Sequence, residues 1–466
     1  MAGWICPGFG GSFLLRVADQ GDGPDFSRPV AVCANAVREL PRAACRCRGL
    51  GRYRRPSSAG GQLGEDEPSP GKKRALRRLL GVSIVFEGRI ELNMRASKFS
   101  RRMAPVIVGA AAALSAAPAA LADTGANSQG GQLAPGAVYT ETNAAAGNSL
   151  LVFYRGRDGA LTPGGSYATG GTGTGTGLGS GHSVVASSSG REVLAVNAGS
   201  NTVSVFGLGH EGLRQLGQAA PSGGTTPTSV TVAGRIVYVM NAGSGTISGF
   251  YLDGRAGLLP IPGSTLPLAA SGTAADSQIQ FDRTGHVLIV DERSVNLIQT
   301  FVVGRDGVAR PAQTTTSSAG GPFGFDVDRQ NHVLFSDVAV GTSSGASSYD
   351  VSRDGTLQEN GAPVTSGQAA ACWLAAVGQY AYTDNAGSGS IGRFAVSPNG
   401  QLSLTGTTQI SPTAHPLDMA GAQGKYLYVL ANGLNEIIGY QVAADGSLTQ
   451  TTSVPVPAGV SGVGAY

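Results

Sequence analysis

Two histidines and a scatter of acids are the groups with which this chain could do chemistry. His182 and His415 each stand just before a short apolar segment, while Asp291, Glu292, Arg293, Asp337 and Asp384 stand at or beside the ends of others. An imidazole ionises near neutral pH, so either histidine beside one of these carboxylates, Asp337 among them, could act as a general acid or base. Acids ringed around one opening could instead hold Ca²⁺, a hard cation that prefers oxygen ligands, and the sequence indicates no other metal and no organic cofactor. Phe323 and Trp373 would line a ligand site beside them. The same acids have a plainer use, because turns recruit Asn and Asp whatever the protein does.

The segments that carry these residues repeat. Seven times, at intervals of roughly 44 to 55 residues, an apolar strand ends in Asn or Asp, a Gly/Ser turn follows, a second strand closes on an aromatic, and an Asp-Gly turn comes next. The clearest copies run Tyr238–Phe250 and Tyr382–Phe394. Strand-ending residues are Asn197, Asn241, Asp291, Asp337 and Asn385, with Glu141 and Asn432 as degenerate copies. Downstream turns fall at Asp158-Gly159, Asp253-Gly254, Asp306-Gly307, Asp354-Gly355, Asn399-Gly400 and Asp445-Gly446, and read as two-residue hairpin turns. Only the second repeat departs, with Gly209-His210-Glu211-Gly212.

A period near 45 built only of short strands predicts an all-β, seven-bladed β-propeller of four-stranded blades over residues 137–466. The recurring aromatics, Tyr154, Phe206, Phe250, Phe301, Tyr349, Phe394 and Tyr440, should pack between neighbouring blades. Residues 459–466 read like an inner strand, and the first repeat lacks one, so the C-terminal strand should complete the first blade and close the ring. His182, His415 and the strand-end acids would then face one side, the funnel. His286 and His332 would be solvated on the other. The low-complexity run Thr169–Gly177 reads as a mobile flap on the funnel face, without the Lys-Ser/Thr of a phosphate loop.

Composition changes at about residue 123. Nineteen of the 33 Lys+Arg but only nine of the 30 Asp+Glu precede Asp123, so the chain is +3 overall while the part after residue 122 is −7. Lys425 is the one lysine in that part, which excludes a basic stripe for nucleic acid. Residues 94–122 read as a secretory signal. Met94 is followed by Arg95, Lys98, Arg101 and Arg102, then by apolar Ala104–Leu114 and the small-x-small site Ala120-Leu121-Ala122. The apolar stretch is too short to span a bilayer. These features predict a chain exported to the periplasm or medium, free of the membrane after cleavage and monomeric. Residues 1–93, with Cys6, Cys33, Cys45 and Cys47, read as an over-called start or a Cys-rich extension whose spacing fits no zinc pattern, and 123–136 as a linker. Cys372 would remain as a lone thiol.

The pattern of strand, Asn-Ala-Gly-Ser turn, strand and Asp-Gly-x-Leu resembles the lactonase family of seven-bladed propellers, which includes bacterial 6-phosphogluconolactonases and fungal carboxymuconate cyclases. The resemblance covers residues 137–466 and implies a site in the central funnel, with His and Arg on inner strands that open Pro-His or Gly-Pro-Arg-His. Here Gly321-Pro322 is followed by Phe323 and Gly324, and the neighbouring strands offer Asp276-Ser277-Gln278 and Ala371-Cys372-Trp373. The expectation is therefore an exported propeller that binds a small or polymeric extracellular ligand at the funnel face. The alternatives are a lactone-opening or lactone-forming enzyme with a rearranged site, and a platform for protein partners.

Overall fold

The computed structural model describes residues 136–209, 212–269, 276–340 and 343–466. The leader, the upstream extension, nearly all of the linker, and His210-Glu211 lie outside them. Seven antiparallel sheets follow one another around a ring. Each is four-stranded from the axis outward, the outermost strand being interrupted in blades 2, 3 and 5. The inner strands of blades 2 to 7 are Val184–Ala186, Pro227–Ala233, Asp276–Phe281, Gly320–Val327, Ala371–Val377 and Pro416–Ala422. That of blade 1 is Ser461–Ala465, paired with Gly136–Glu141, so the C-terminal strand closes the ring.

The turns show why Asn, Asp and Gly recur. In the outer hairpins Gly156 N–H donates to Ala160 O, leaving a three-residue loop in place of the two-residue turn the Asp-Gly pairs suggested. Gly159 takes φ 85° there, and the Asp158 carboxylate accepts the Ala160 N–H, so Asp and Gly serve different needs of one turn. The middle turns hold four residues, as Asn241 pairs with Thr246 and Asn385 with Ser390. By the same register Glu292, paired with Leu297, occupies the slot of Asn197, Asn241 and Asn385, and Asp291 aligns with Asp384. The repeat as read from sequence was one residue out of phase in blade 4, because its strand ends in two acids.

Apolar side chains fill the wedges between blades. Phe206, Phe250, Phe301, Tyr349, Phe394 and Tyr440 are all buried, each worth about 1.5–3 kcal/mol. Tyr154 departs from the expectation: its ring lies over Gly164 in its own outer strand and stays 36% exposed. Polar bonds lock the same wedges. Tyr238, Tyr382 and Tyr428 each donate from a fully buried ring to the Gly carbonyl of the next blade's outer turn, Gly307, Gly446 and Gly159 respectively, at 2.7–2.9 Å. The last of these joins blade 7 to blade 1. Cys372 is a buried thiol outside any disulfide, its Sγ 3.5 Å from Ala370 O.

Candidate functional site

Inner strands of adjacent blades do not pair with each other; side chains clip them together. Ile279 N–H donates to Ser229 Oγ and Phe281 N–H to Thr231 Oγ1, joining blades 3 and 4. Phe325 N–H donates to Gln278 Oε1, joining blades 4 and 5. The Asp326 carboxylate accepts Ala376 N–H at 2.9 Å, joining blades 5 and 6, and Asp418 accepts Val463 N–H at 2.9 Å, joining 7 and 1. In blades 3 to 5 polar residues alternate with apolar ones, as in Gln278-Ile279-Gln280-Phe281, and Thr231, Gln280 and Asp326 of the polar set reach the axis.

The axis holds a cavity of about 680 Å³ lined from all seven inner strands. Blades 2 to 5 supply its polar side chains, among them His182, Thr231, Gln280 and Asp326, interleaved with apolar ones such as Val185, Val232, Phe281 and Val327. Blades 6, 7 and 1 supply apolar ones, Leu374, Met419, Ala420 and Val463. Ser188, Gly234 and Arg283–Gly285 also line it, so its mouth lies on the face of the inner-hairpin turns. At the other end Gly181, Gln278 and Trp373 close together: a Cβ on Gly181 would stand 2.5 Å from Gln278 Oε1 and 2.8 Å from Trp373 Cδ1. The funnel face, where the sequence pointed, is therefore the blind end of this cavity.

His182 sits at that blind end, with Gln278 Nε2 3.4 Å from its Nδ1. Burial lowers its pKa, against the charge of Asp326 and a backbone bond to Ile279 that act to raise it. Burial prevails, so the ring is neutral at physiological pH. Asp326 Oδ1 accepts Gln280 Nε2–H and its Oδ2 accepts Ala376 N–H, both at 2.9 Å. His182 has φ 60°, but Thr226, Ala370 and His415 have φ of 50°, 55° and 39° just before their own inner strands. The left-handed residue belongs to the loop geometry of the blades and does not mark a strained active site.

The other residues singled out from sequence lie elsewhere. His415 is exposed on the funnel face, its Nδ1 3.2 Å from Ala386 O, and does not line the cavity. Asp291, Glu292, Asp337 and Asp384 are all fully buried beneath the middle turns. Asp384 accepts the Trp373 N–H at 2.8 Å where a bulge in the inner strand frees it, and Glu292 accepts Ala269 N–H at 3.2 Å. Burial pushes Asp337 up to about 7. Arg293, Phe323 and Trp373 do come together: the guanidinium lies 4.5 Å over the Phe323 ring, and the two rings are 4.9 Å apart. At 3% and 4% exposure, however, those rings cap the axis and present little surface. No group of His, Cys, Asp and Glu among the described residues has the geometry of a metal site.

Two further expectations change. The Thr169–Gly177 loop is held between the middle turns of blades 1 and 2. Gly173 N–H donates to Ala144 O, Gly175 N–H to Asn143 O and Gly199 N–H to Thr172 O, at 2.8–2.9 Å. His332 is buried, not solvated: its Nδ1 lies 2.8 Å from Asp328 Oδ2. Sequence reasoning missed Asp326, Gln280 and Thr231. Their signal was the period-two alternation of polar and apolar residues in three successive inner strands.

Residues 182–372 match the family described as Lactonase, 7-bladed beta-propeller. No curated protein matches the chain. Among solved structures, a candidate 6-phosphogluconolactonase of Bacteroides uniformis ATCC 8492 superposes with TM-score 0.57 at 23% identity, over 70% of this chain and 98% of that one. One of Bacteroides fragilis NCTC 9343 gives 0.59 at 18%, over 72% and 99%. A functionally unknown protein of Desulfotomaculum acetoxidans DSM 771 gives 0.53 at 12%, over 70% and 98%. At these identities the likeness speaks for the fold. The chain is thus a closed seven-bladed β-propeller whose blades 2 to 5 match the lactonase family's pattern.

Proposed function

We propose that this chain binds a small polar ring compound of the sugar-lactone class in its central channel, entering from the face of the inner-hairpin turns. The two-sided lining carries this reading. A sugar or lactone ring has hydroxyls at its edge and C–H groups on its faces, and the channel sets His182, Thr231, Gln280 and Asp326 opposite Leu374, Met419 and Val463. Its volume lies within the roughly 300–1,000 Å³ of small-ligand sites. The names of the Bacteroides neighbours support the ligand class. Arg283 is the one Lys or Arg among the lining residues and stands beside Asp282 and Asp326, which favours an uncharged ring over a phosphorylated one. Residues 94–122 support export, so the ligand would be met in the periplasm or outside the cell.

The test is titration of the full chain with gluconolactone, galactonolactone and gluconate, followed by thermal shift and by disappearance of the lactone. Gln280→Leu should weaken lactone binding by roughly tenfold; unchanged affinity would refute the assignment. Turnover is a second reading, favoured by the neutral His182 at the blind end. There it could take a proton from water as that water attacks the lactone carbonyl, then return it to the ring oxygen as the acyl C–O bond breaks and leaves the open hydroxy acid. His182→Gln should then stop lactone loss while leaving binding intact.

A further inference from the structure

The channel continues past its mouth. Two smaller cavities extend from it across the same face, and we propose that the three form one trough for a neutral, hydroxyl-rich chain, an oligosaccharide, whose terminal ring occupies the channel. This rests on the reading of the channel as a ring-binding site and extends it from one ring to a polymer.

The cavities adjoin through shared walls. One of about 390 Å³ shares Arg283, Asp326, Val327 and Gly421 with the channel. Another of about 330 Å³ shares Arg329, Gly378 and Gly424 with the first, and reaches outward to Tyr380 and the outer turn of blade 7 at Ala443. The channel alone has room for one small ligand, so the outer two are space for more of the same molecule.

The trough has a cause in the sequence. The inner-hairpin turns of blades 4 and 5 repeat one motif, Asp282-Arg283-Thr284-Gly285-His286 and Asp328-Arg329-Gln330-Asn331-His332. In each, the Asp carboxylate folds back on the turn, Asp282 Oδ1 accepting His286 N–H and Asp328 Oδ1 accepting His332 N–H, both at 2.9 Å. Asn331 ties the two turns together, accepting Arg283 N–H at 2.8 Å and donating to Asp282 Oδ2 at 3.2 Å. Both arginines are thereby left exposed at the rim. Arg329 lies across to blade 7, where a Cβ on Gly424 would stand 1.9 Å from its Nη2. That places its guanidinium where the two outer cavities meet.

Charge balance selects the ligand. In the cavity beside the mouth, Arg283 and Arg329 are matched by Asp326 and Asp328, so neither an anion nor a cation finds a net field. What the wall offers is donors interleaved with acceptors, with Gln423 and Gln379 added along the trough. A hydroxyl both donates and accepts, and a row of them can use such a wall where a single charge cannot. Tyr380, half-buried with its hydroxyl on Ala444 O, adds an aromatic surface at the outer end.

The experiment applies the full chain to an array of neutral and acidic oligosaccharides of one to six units and titrates the hits. Neutral glycans should bind, with affinity rising roughly tenfold or more between one unit and three as bonds to the arginines are added. Arg329→Ala and Tyr380→Ala should erase that gain and leave single-unit binding within about twofold. Both variants need an unchanged unfolding midpoint; if Tyr380→Ala loses folding, the exposed Arg329 decides. Binding confined to acidic glycans, affinity independent of length, or a length gain that survives Arg329→Ala would overturn the trough. If lactones bind and no glycan does, the trough falls and the channel reading stands. If neither binds, both fall.

Discussion

The three tyrosines that lock neighbouring blades offer a graded test of how the ring is held. Tyr→Phe removes one hydroxyl from a fully buried ring and leaves its packing intact, so the loss is the bond and any partner left unpaired. Tyr238 makes two bonds, donating to Gly307 O at 2.8 Å and accepting Ala309 N–H at 2.7 Å. Its removal strands a carbonyl and an N–H, which predicts about 2–3 kcal/mol. Tyr382 makes one, to Gly446 O, and its loss should cost about 1–2 kcal/mol. Tyr428 bonds Gly159 O, but Thr451 Oγ1 also reaches that carbonyl at 3.4 Å, so the cost should be about 1 kcal/mol or less. The order predicted is Tyr238→Phe, then Tyr382→Phe, then Tyr428→Phe. Equilibrium denaturant titration is the assay, because in a ring of this size 1 kcal/mol moves Tm by only about 1–2 °C. If Tyr428→Phe proved the most damaging, the closing wedge would be the weak point, and local bond counting would be the wrong account of stability.

The buried acids predict an unusual pH profile. Burial raises Glu141 to about 8, and Asp337 and Asp418 to about 7. An acid raised on folding contributes stability that is complete below its unfolded pKa and lost as pH rises through the folded value. The denaturation midpoint should therefore be higher at pH 5 than at pH 8.5, and Glu141→Gln should recover part of the loss at pH 8.5 only; a flat profile over that range would show these groups ionise freely. At the acid end the turn aspartates work oppositely. Asp253 is held low first by the Ala256 N–H and Asp445 by Ser447, so stability falls again as pH drops through their values. Gly173→Ala should release the Thr169–Gly177 loop. A Cβ there would stand 2.1 Å from the Asn143 carbonyl carbon, a backbone atom that no rotamer change can move. Limited proteolysis should then cut between residues 169 and 179 much faster than in the unaltered chain, and equal rates would mean the loop is not pinned by that contact.

Turns and strands were legible from sequence because they answer to local rules. Asp158-Gly159 meets the φ demand of one loop, and Val287-Leu288-Ile289-Val290 must be buried wherever it sits, so seven copies announced seven blades and the closing strand. The chemistry was not local. Asp291, Asp337 and Asp384 looked exposed because acids usually are, yet the middle turns cover them. Asp326 looked like one more strand residue, and only the convergence of seven inner strands sets it across the channel from Met419 and at the same wall as His182. Which mouth is open could not be read from the chain either: it depends on Trp373, Gln278 and Gly181 meeting at the axis from blades 6, 4 and the loop before blade 2. The strand pattern is set by neighbours along the chain, whereas the site is set by residues up to 283 positions apart, His182 and Ala465, that only ring closure brings around one channel.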